Sequence, residues 1–280
     1  MTRFRWLVLL AVVTIAAVIF VLADGMLPWG TGSSSGRCDV PDSVSGPQGT
    51  SAPDGGSVRV LEQGFTQDAD GAVNMGALLE NTSGDVAYRT LVTFRLFDPA
   101  HTELPESAGT PLRVEIPIVL PGQRIGTGSA TYRSSVRVSS FEINLDRTAW
   151  VPRDSFGQGF APVTGTYLRT ARFQPRIPAS VDIHYKETSA NCRGLESRTT
   201  AVVFRNSAGK IVGGNVASPD VPIVFRDEQG NDLGGDWQRP PTPSCSRGER
   251  ETWIVPSAGQ PSTADDAHTE IYPYCDLRGP

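Results

Sequence analysis

The sequence has few of the residues on which enzyme active sites are usually built. It contains three histidines and four cysteines in 280 residues, and it has no C-x-x-C pair. Its one match to the G-x-S-x-G nucleophile motif, at 32–36, lies in a Gly- and Ser-rich stretch and not between a strand and a helix. The Gly-rich stretch 126–129 is not followed by a helical pattern that could direct a dipole at a phosphate. The sequence therefore predicts no catalytic, cofactor-binding or metal site, and it favours a protein that is not an enzyme.

An excess of basic residues is also lacking. The formal net charge is −5, and the isoelectric point is about 5.3. An acidic chain is repelled by nucleic-acid phosphates and by anionic lipid headgroups. We expect no nucleic-acid partner.

Amphipathic helical patterns of useful length are missing after the first 25 residues. Short runs rich in Val, Thr and aromatic residues are separated by turn-forming Gly, Pro and Asp. In the run 86–98, Val92, Phe94 and Leu96 alternate with polar residues, which is typical of a half-buried antiparallel strand. Asp98 then begins a turn in which its carboxylate can accept hydrogen bonds from backbone N–H groups. This profile predicts an all-β fold.

One long apolar run opens the chain. Residues 6–23 carry no charge and would span about 27 Å as a helix, close to the thickness of a bilayer's hydrocarbon core. Arg3 and Arg5 precede the run, and the first acid, Asp24, follows it. This asymmetry predicts a cytoplasmic tail at 1–5, a single transmembrane helix at 6–27 and an extracellular remainder, in the cell membrane. A signal peptide cleaved before Asp24 is the alternative.

The remainder divides into a linker and two repeats. Residues 28–56 are rich in Gly, Ser and Pro, which predicts a flexible stalk. The run 183–212 can be laid on 78–104, with the same order of strands and turns. We therefore predict tandem immunoglobulin-like β-sandwich domains at 57–152 and 163–280.

An even number of cysteines outside the cytoplasm predicts two disulfides. The pairing Cys192–Cys245 is favoured, because both residues fall in turns at one end of an up-and-down sandwich. Cys38 would then pair with Cys275 and fix the stalk to the second domain. The other pairings remain open. All four candidates follow the apolar run: Cys38, Cys192, Cys245 and Cys275.

Residues 94–98 (FRLFD) resemble the F-x-L-Y-D signature of the FxLyD domain family, with Phe97 at the tyrosine position. Residues 120–123 (LPGQ) resemble the Pro-Gly turn that follows in that family. The resemblance covers about 57–146, and the second repeat keeps only the aromatic, Phe204. It implies an immunoglobulin-like sandwich of secreted or membrane-anchored prokaryotic proteins with no established catalytic role, and it transfers no functional residue.

Two groups of side chains are candidates for binding. Asp182, His184 and Lys186 alternate along one strand and share a face, which favours a solvent-facing polar row over a catalytic cleft. Four aromatic residues near the C-terminus could form a patch for a glycan or a partner protein, or could pack in the core. They are Trp237, Trp253, Tyr272 and Tyr274.

These features together predict a membrane-anchored, non-catalytic binding or assembly module of a prokaryotic cell envelope. Its partners would be the membrane, through the N-terminal helix, and an envelope protein or cell-wall component. A secreted or anchored module that binds glycan or cell wall is the alternative, and an enzyme of unrecognised type is a second alternative.

Overall fold

A computed structural model describes residues 38–105, 112–132, 136–172, 181–218, 245–257 and 259–277. These residues form antiparallel sheets joined by turns and two short 3-10 helices, which confirms the predicted all-β class. The predicted membrane segment 6–27 lies outside the described residues. Within them, none of the helices has the length and apolar character needed to span a membrane.

The first half of the chain contributes two sheets. Sheet I has the order β1-β8-β4, with β5 and β6 both on the far edge of β4, and sheet II has the order β2-β3-β7. The strands are β1 (Gln48–Gly49), β2 (Val58–Gln67), β3 (Ala72–Asn81), β4 (Val86–Phe97), β5 (Glu103–Leu104), β6 (Arg113–Val119), β7 (Arg124–Tyr132) and β8 (Ser140–Val151).

The second half contributes sheet III, in the order β12-β11-β14, and sheet IV, in the order β13-β10-β9. The 3-10 helices span Arg153–Phe156 and Asp266–His268. The strands are β9 (Thr164–Arg172), β10 (Val181–Ser189), β11 (Glu196–Arg205), β12 (Ile211–Ala217), β13 (Gly248–Ile254) and β14 (Glu270–Asp276).

The two halves share one pairing order. The order β9-β10-β13 repeats β2-β3-β7, and β12-β11-β14 repeats the path β6-β4-β8 within sheet I. The predicted alignment of 183–212 with 78–104 places β10 on β3 and β11 on β4, in agreement with this order.

Sheets I and II enclose the first core. Phe94 and Leu96 of β4 are buried against Met75 and Leu79 of β3, so the alternation read from the sequence marks the core face correctly. Asp98 Oδ1 accepts hydrogen bonds from the backbone N–H groups of residues 100 and 102, as predicted.

Sheets II and III make a second, unusually close contact. A Cβ atom added to Gly76 would lie 2.1 Å from the carbonyl oxygen of Gly213, and one added to Gly128 would lie 2.4 Å from the carbonyl carbon of Gly214. Backbones can approach this closely only where side chains are absent. The described residues from 38 onward therefore belong to one compact unit.

A buried carboxylate also links the halves. Asp276 at the end of β14 is fully buried, and its Oδ2 atom lies 3.0 Å from Arg89 Nη2 and 3.3 Å from Arg198 Nη2. Arg89 has a left-handed φ of 51°, at the irregularity where β4 pairs with β8. Breaking such a pair would leave an uncompensated buried charge, so this contact favours the observed arrangement of the halves.

The prediction of a flexible stalk is wrong for residues 38–56, which we call the N-terminal arm. Strand β1 within the arm pairs with β8. The Pro47 carbonyl accepts a hydrogen bond from the Trp150 amide, and the Gly49 carbonyl accepts one from Trp150 Nε1 at 3.2 Å. Residues 28–37 lie outside the described residues.

Two carboxylates also hold the arm. Asp39 accepts hydrogen bonds from the backbone N–H groups of Gln158 and Gly159 at 2.8 and 3.1 Å. Asp54 accepts hydrogen bonds from the Gly84 amide at 2.7 Å and from the Ser83 hydroxyl, and these bonds contribute to lowering the pKa of its carboxyl. These contacts could not be predicted from the Gly- and Ser-rich composition of the arm, because each involves a turn that is distant from the arm in sequence.

Two disulfides are present, as predicted, but the favoured pairing is wrong. The structure joins Cys38 to Cys192, with Cα atoms 5.5 Å apart, and Cys245 to Cys275, at 5.8 Å. Cys245 and Cys275 are buried, whereas Cys192 is exposed. Because the arm lies along the body, Cys38 meets the exposed Cys192 at its surface.

We predict that Gly76→Ala destabilises the protein by about 1–3 kcal/mol, because the new methyl group would overlap the Gly213 carbonyl across the contact of sheets II and III. Gly194→Ala is the matched control, since the nearest atom to its added Cβ lies 3.7 Å away. Urea unfolding followed by circular dichroism measures both. Equal midpoints for the two variants would contradict the close contact.

Candidate functional site

The structure separates the predicted aromatic residues. Tyr274 is buried, and its hydroxyl donates a hydrogen bond to the Gly126 carbonyl at 2.7 Å. Tyr272 packs over Gly126 and donates to Glu270, and burial is the main cause that raises the pKa of its phenol. Both tyrosines therefore pack between the two halves and form no exposed patch. Trp237 lies outside the described residues.

Trp253 instead joins the polar row of β10. Antiparallel pairing sets Trp253 of β13 on one side of His184 and Arg169 of β9 on the other. Glu251 of β13 pairs in the same way with Lys186. These outward side chains of sheet IV form a surface that we call the polar face. Its members are Arg169, Asp182, His184, Lys186, Glu251 and Trp253.

His184 is at the centre of the polar face. Arg169 Nη2 lies 3.0 Å from His184 Nδ1, and Arg169 Nη1 donates to Glu251 Oε1 at 2.6 Å. The Trp253 ring centroid lies 5.9 Å from that of the imidazole, with 32° between the planes. Burial, and then the positive charge of Arg169, lower the pKa of His184 despite the neighbouring carboxylates. His184 Nδ1 also lies 3.3 Å from Glu251 Oε1. The lowered pKa favours the neutral imidazole at pH 7.

Asp182 is the buried member of the polar face. Asp182 is 8% exposed, and its Oδ1 atom has no hydrogen-bond partner within the described parts of the chain. Burial raises the pKa of its carboxyl above the ordinary value. Buried acceptors are usually satisfied by a donor, so this oxygen has an unmet capacity to accept a hydrogen bond.

A buried ion pair underlies the polar face. The inward side of sheet IV places Glu187 Oε1 3.0 Å from Arg250 Nε, and the Cys245 amide donates to the same oxygen at 2.6 Å. The Glu187 carboxylate also lies near the sulfurs of Cys245 and Cys275, at a spacing that could suit a metal ion. Since those sulfurs are bonded to each other, they offer no thiolate ligands, and we assign the cluster a structural role.

Two surface grooves lie where the halves meet. One, of about 350 Å³, has mainly apolar walls that include Pro117, Phe160 and Tyr272. The other, of about 420 Å³, also has mainly apolar walls, and Arg113, Arg198 and Asn215 contribute its polar groups. Neither includes a residue of the polar face.

Comparison with known proteins gives no assignment, because no family model, curated protein or solved structure matches the chain. The function must therefore be inferred from the sequence and structure of the protein itself. The sequence identified Asp182, His184 and Lys186 as one row and Trp253 as a separate candidate. It did not identify Arg169 or Glu251, whose place beside His184 follows from strand register alone.

We predict that Arg169→Gln raises the pKa of His184, because it removes the cation that lowers this pKa. In the wild type the pKa should lie below 6.5. A histidine NMR titration measures both values, and His184→Gln identifies the resonance among three histidines. Arg59→Gln, which alters an exposed ion pair on sheet II, is the control.

The lowered pKa of His184 also determines how the stability of the protein changes with pH. The unfolded state binds the proton more tightly than the folded state, so His184 lowers stability as the pH falls below about 6.5. Arg169→Gln should weaken this dependence in urea unfolding. An unchanged His184 pKa in Arg169→Gln would contradict the assigned geometry.

Proposed function

We propose that this protein is a membrane-anchored, extracellular binding module of a prokaryotic cell envelope, and that the polar face contacts its partner. The proposed body is a pair of immunoglobulin-like β-sandwiches carried by the N-terminal helix 6–27. The repeated pairing order supports the pair of sandwiches, and the resemblance of 94–98 to the FxLyD signature supports the first.

The polar face is the observation that carries this proposal. Arg169 is paired with Glu251 within the face and Lys186 with the neighbouring Glu249, the face carries a partly exposed tryptophan, and neither groove described above includes its residues. An open face with paired charges suits recognition, whereas catalysis requires a reactive group held in a site that excludes water. A non-catalytic role therefore fits this geometry better than an enzymatic one.

The disulfides support the location. Two bonds involving all four cysteines are expected in an oxidising compartment and are rare in the cytoplasm. Cys38 lies 15 positions after Ala23, the last residue of the apolar run. Such a connection spans at most about 54 Å when fully extended. The Cys38–Cys192 bond would thus hold the body near the membrane, with the arm fixed to the body instead of acting as a long tether.

Protease added to intact spheroplasts tests the orientation. We expect it to remove the mass that follows residue 23, because this mass would face outward. Survival of that mass until the cells are lysed would contradict the proposal. Sequencing the mature N-terminus separates the two outward-facing forms, since a chain that begins at Asp24 would be secreted and not anchored.

Crosslinking in intact membranes tests the role of the polar face. The double variant Arg169→Gln/Trp253→Ala should recover less of the partner than wild type, because it removes a charged and an aromatic contact. Arg59→Gln changes an exposed arginine on sheet II and should recover the wild-type amount. Equal recovery by all three proteins would exclude the polar face as the binding surface.

A further inference from the structure

We propose that the Cys38–Cys192 disulfide is a site of reversible thiol–disulfide exchange with an external dithiol, and that the Cys245–Cys275 disulfide is a permanent structural bond. The redox state of the first bond would control how firmly the N-terminal arm is held to the body. This inference goes beyond the proposed function, because it assigns a chemical modification to the arm and does not involve the polar face.

The two disulfides differ in their access to solvent. Cys192 is exposed and Cys38 is half-buried, whereas Cys245 is 1% and Cys275 is 7% exposed. A Cβ atom added to Gly159 would lie 3.6 Å from Cys192 Sγ, so this glycine has no side chain that could cover the sulfur. The rate of exchange depends on the access of an attacking thiolate to a sulfur of the disulfide. We therefore expect a reductant in solution to reach the first bond in the folded protein, and the second only after unfolding.

The buried disulfide is part of a core to which both halves of the chain contribute. Cys245 and Cys275 pack in one apolar cluster with Tyr88 and Leu277. The Cys245 amide also donates a hydrogen bond to the Glu187 carboxylate at 2.6 Å. Reduction of this bond requires disruption of the surrounding packing, whereas reduction of the exposed bond requires only an approach from solvent.

The residues that follow the two cysteines of the exposed bond also make noncovalent contacts. Asp39 accepts hydrogen bonds from the amides of Gln158 and Gly159 at 2.8 and 3.1 Å. Arg193 Nη1 lies 2.8 Å from Asp42 Oδ1. These contacts hold the two thiols near each other after reduction, which gives them a high effective concentration. Oxidation should therefore restore the same pair, and this makes the exchange reversible.

The exchange takes place in two steps. A thiolate of the dithiol attacks Cys192 Sγ and forms a mixed disulfide, and Cys38 leaves as a thiolate that takes a proton from water. The second thiol of the reductant, as its thiolate, then attacks the reductant's own sulfur in the mixed disulfide. The Cys192 thiolate leaves and is protonated in turn. The protein disulfide thereby gains two electrons and two protons, and the dithiol is oxidised to a disulfide.

The exposed disulfide lies at the start of the described arm. The arm is next fixed at the Pro47 carbonyl, which pairs with β8, so reduction removes the covalent constraint from residues 38–46. Val40 is the only buried residue of this segment. The remaining contacts of Asp39 and Asp42 lie at the surface, where such contacts contribute little to stability. Segment 38–46 should therefore open more often when the bond is reduced, while the body remains folded.

The test measures reduction of the full chain in detergent, with dithiothreitol as the dithiol probe. Labelling with N-ethylmaleimide and peptide mass spectrometry follow each cysteine. We expect Cys38 and Cys192 to be labelled at least about tenfold faster than Cys245 and Cys275, because exchange depends on access. Circular dichroism should show that the protein stays folded. The double variant Cys38→Ser/Cys192→Ser is the control and should take up no label under the same conditions.

Hydrogen–deuterium exchange measures the response of the arm. Selective reduction should speed exchange in segment 38–46 and leave exchange in β4 unchanged. Oxidised dithiothreitol should then restore the Cys38–Cys192 bond. Arg193→Gln should slow this restoration, because it removes the contact with Asp42. Arg59→Gln alters an exposed ion pair on sheet II and should restore the bond at the wild-type rate.

Three results would overturn the inference. Reduction of both disulfides at the same rate, or reduction of Cys38–Cys192 only in denaturant, would show that this bond is not an exchange site. Oxidation to other cysteine pairs would show that the exchange is not reversible. Unchanged hydrogen exchange in segment 38–46 after selective reduction would show that the bond does not control the arm. None of these measurements involves the polar face, so the proposed function is tested separately by the crosslinking experiment.

Discussion

The backbone contact between sheets II and III is the constraint on which the rest of the structure depends. Gly76 and Gly128 on one side meet Gly213 and Gly214 on the other, at separations that leave no room for a Cβ atom. Sheet III is thereby fixed against the first half, and its other face packs against sheet IV through Val202 and Phe204. The position of the polar face relative to the first half follows from this contact.

The N-terminal arm shows how a polar segment becomes part of a folded body. Its apolar content is small, so burial alone could not fix it. Carboxylates that accept several backbone N–H bonds, a short strand pairing and a disulfide add to the burial of Val40 and Ala52. Such charge-assisted hydrogen bonds are stronger than neutral ones. The arm is therefore fixed to the body without a hydrophobic core of its own.

The two sides of sheet IV have different electrostatic roles. On the inward side, Glu187 and Arg250 are desolvated together, which is tolerable because each neutralises the other and the Cys245 amide adds a hydrogen bond. On the outward side, the pairs around His184 are partly solvated and contribute less to stability. The inward pair therefore contributes more than the outward pairs to holding the strands in register.

The alternation along β4 was sufficient to identify Phe94 and Leu96 as core residues, because a strand's side chains alternate whatever its neighbours are. The turn formed by Asp98 was predictable for a similar reason, since it depends on residues at most four positions apart. The common order of strands and turns in the two halves was also visible in the sequence. Local periodicity thus indicated the all-β class and the repeated order of strands and turns.

The disulfide pairing and the packing of the arm were decided by tertiary structure. Cys38 and Cys192 are 154 positions apart, and their meeting depends on the path of the arm over the body. The proximity of Trp253, His184 and Arg169 likewise depends on the register of β9, β10 and β13. Strand register and sheet contacts arise from long-range packing, which no local pattern encodes. The sequence by itself determined the strands and their faces, and only the tertiary structure decided which faces and which cysteines meet.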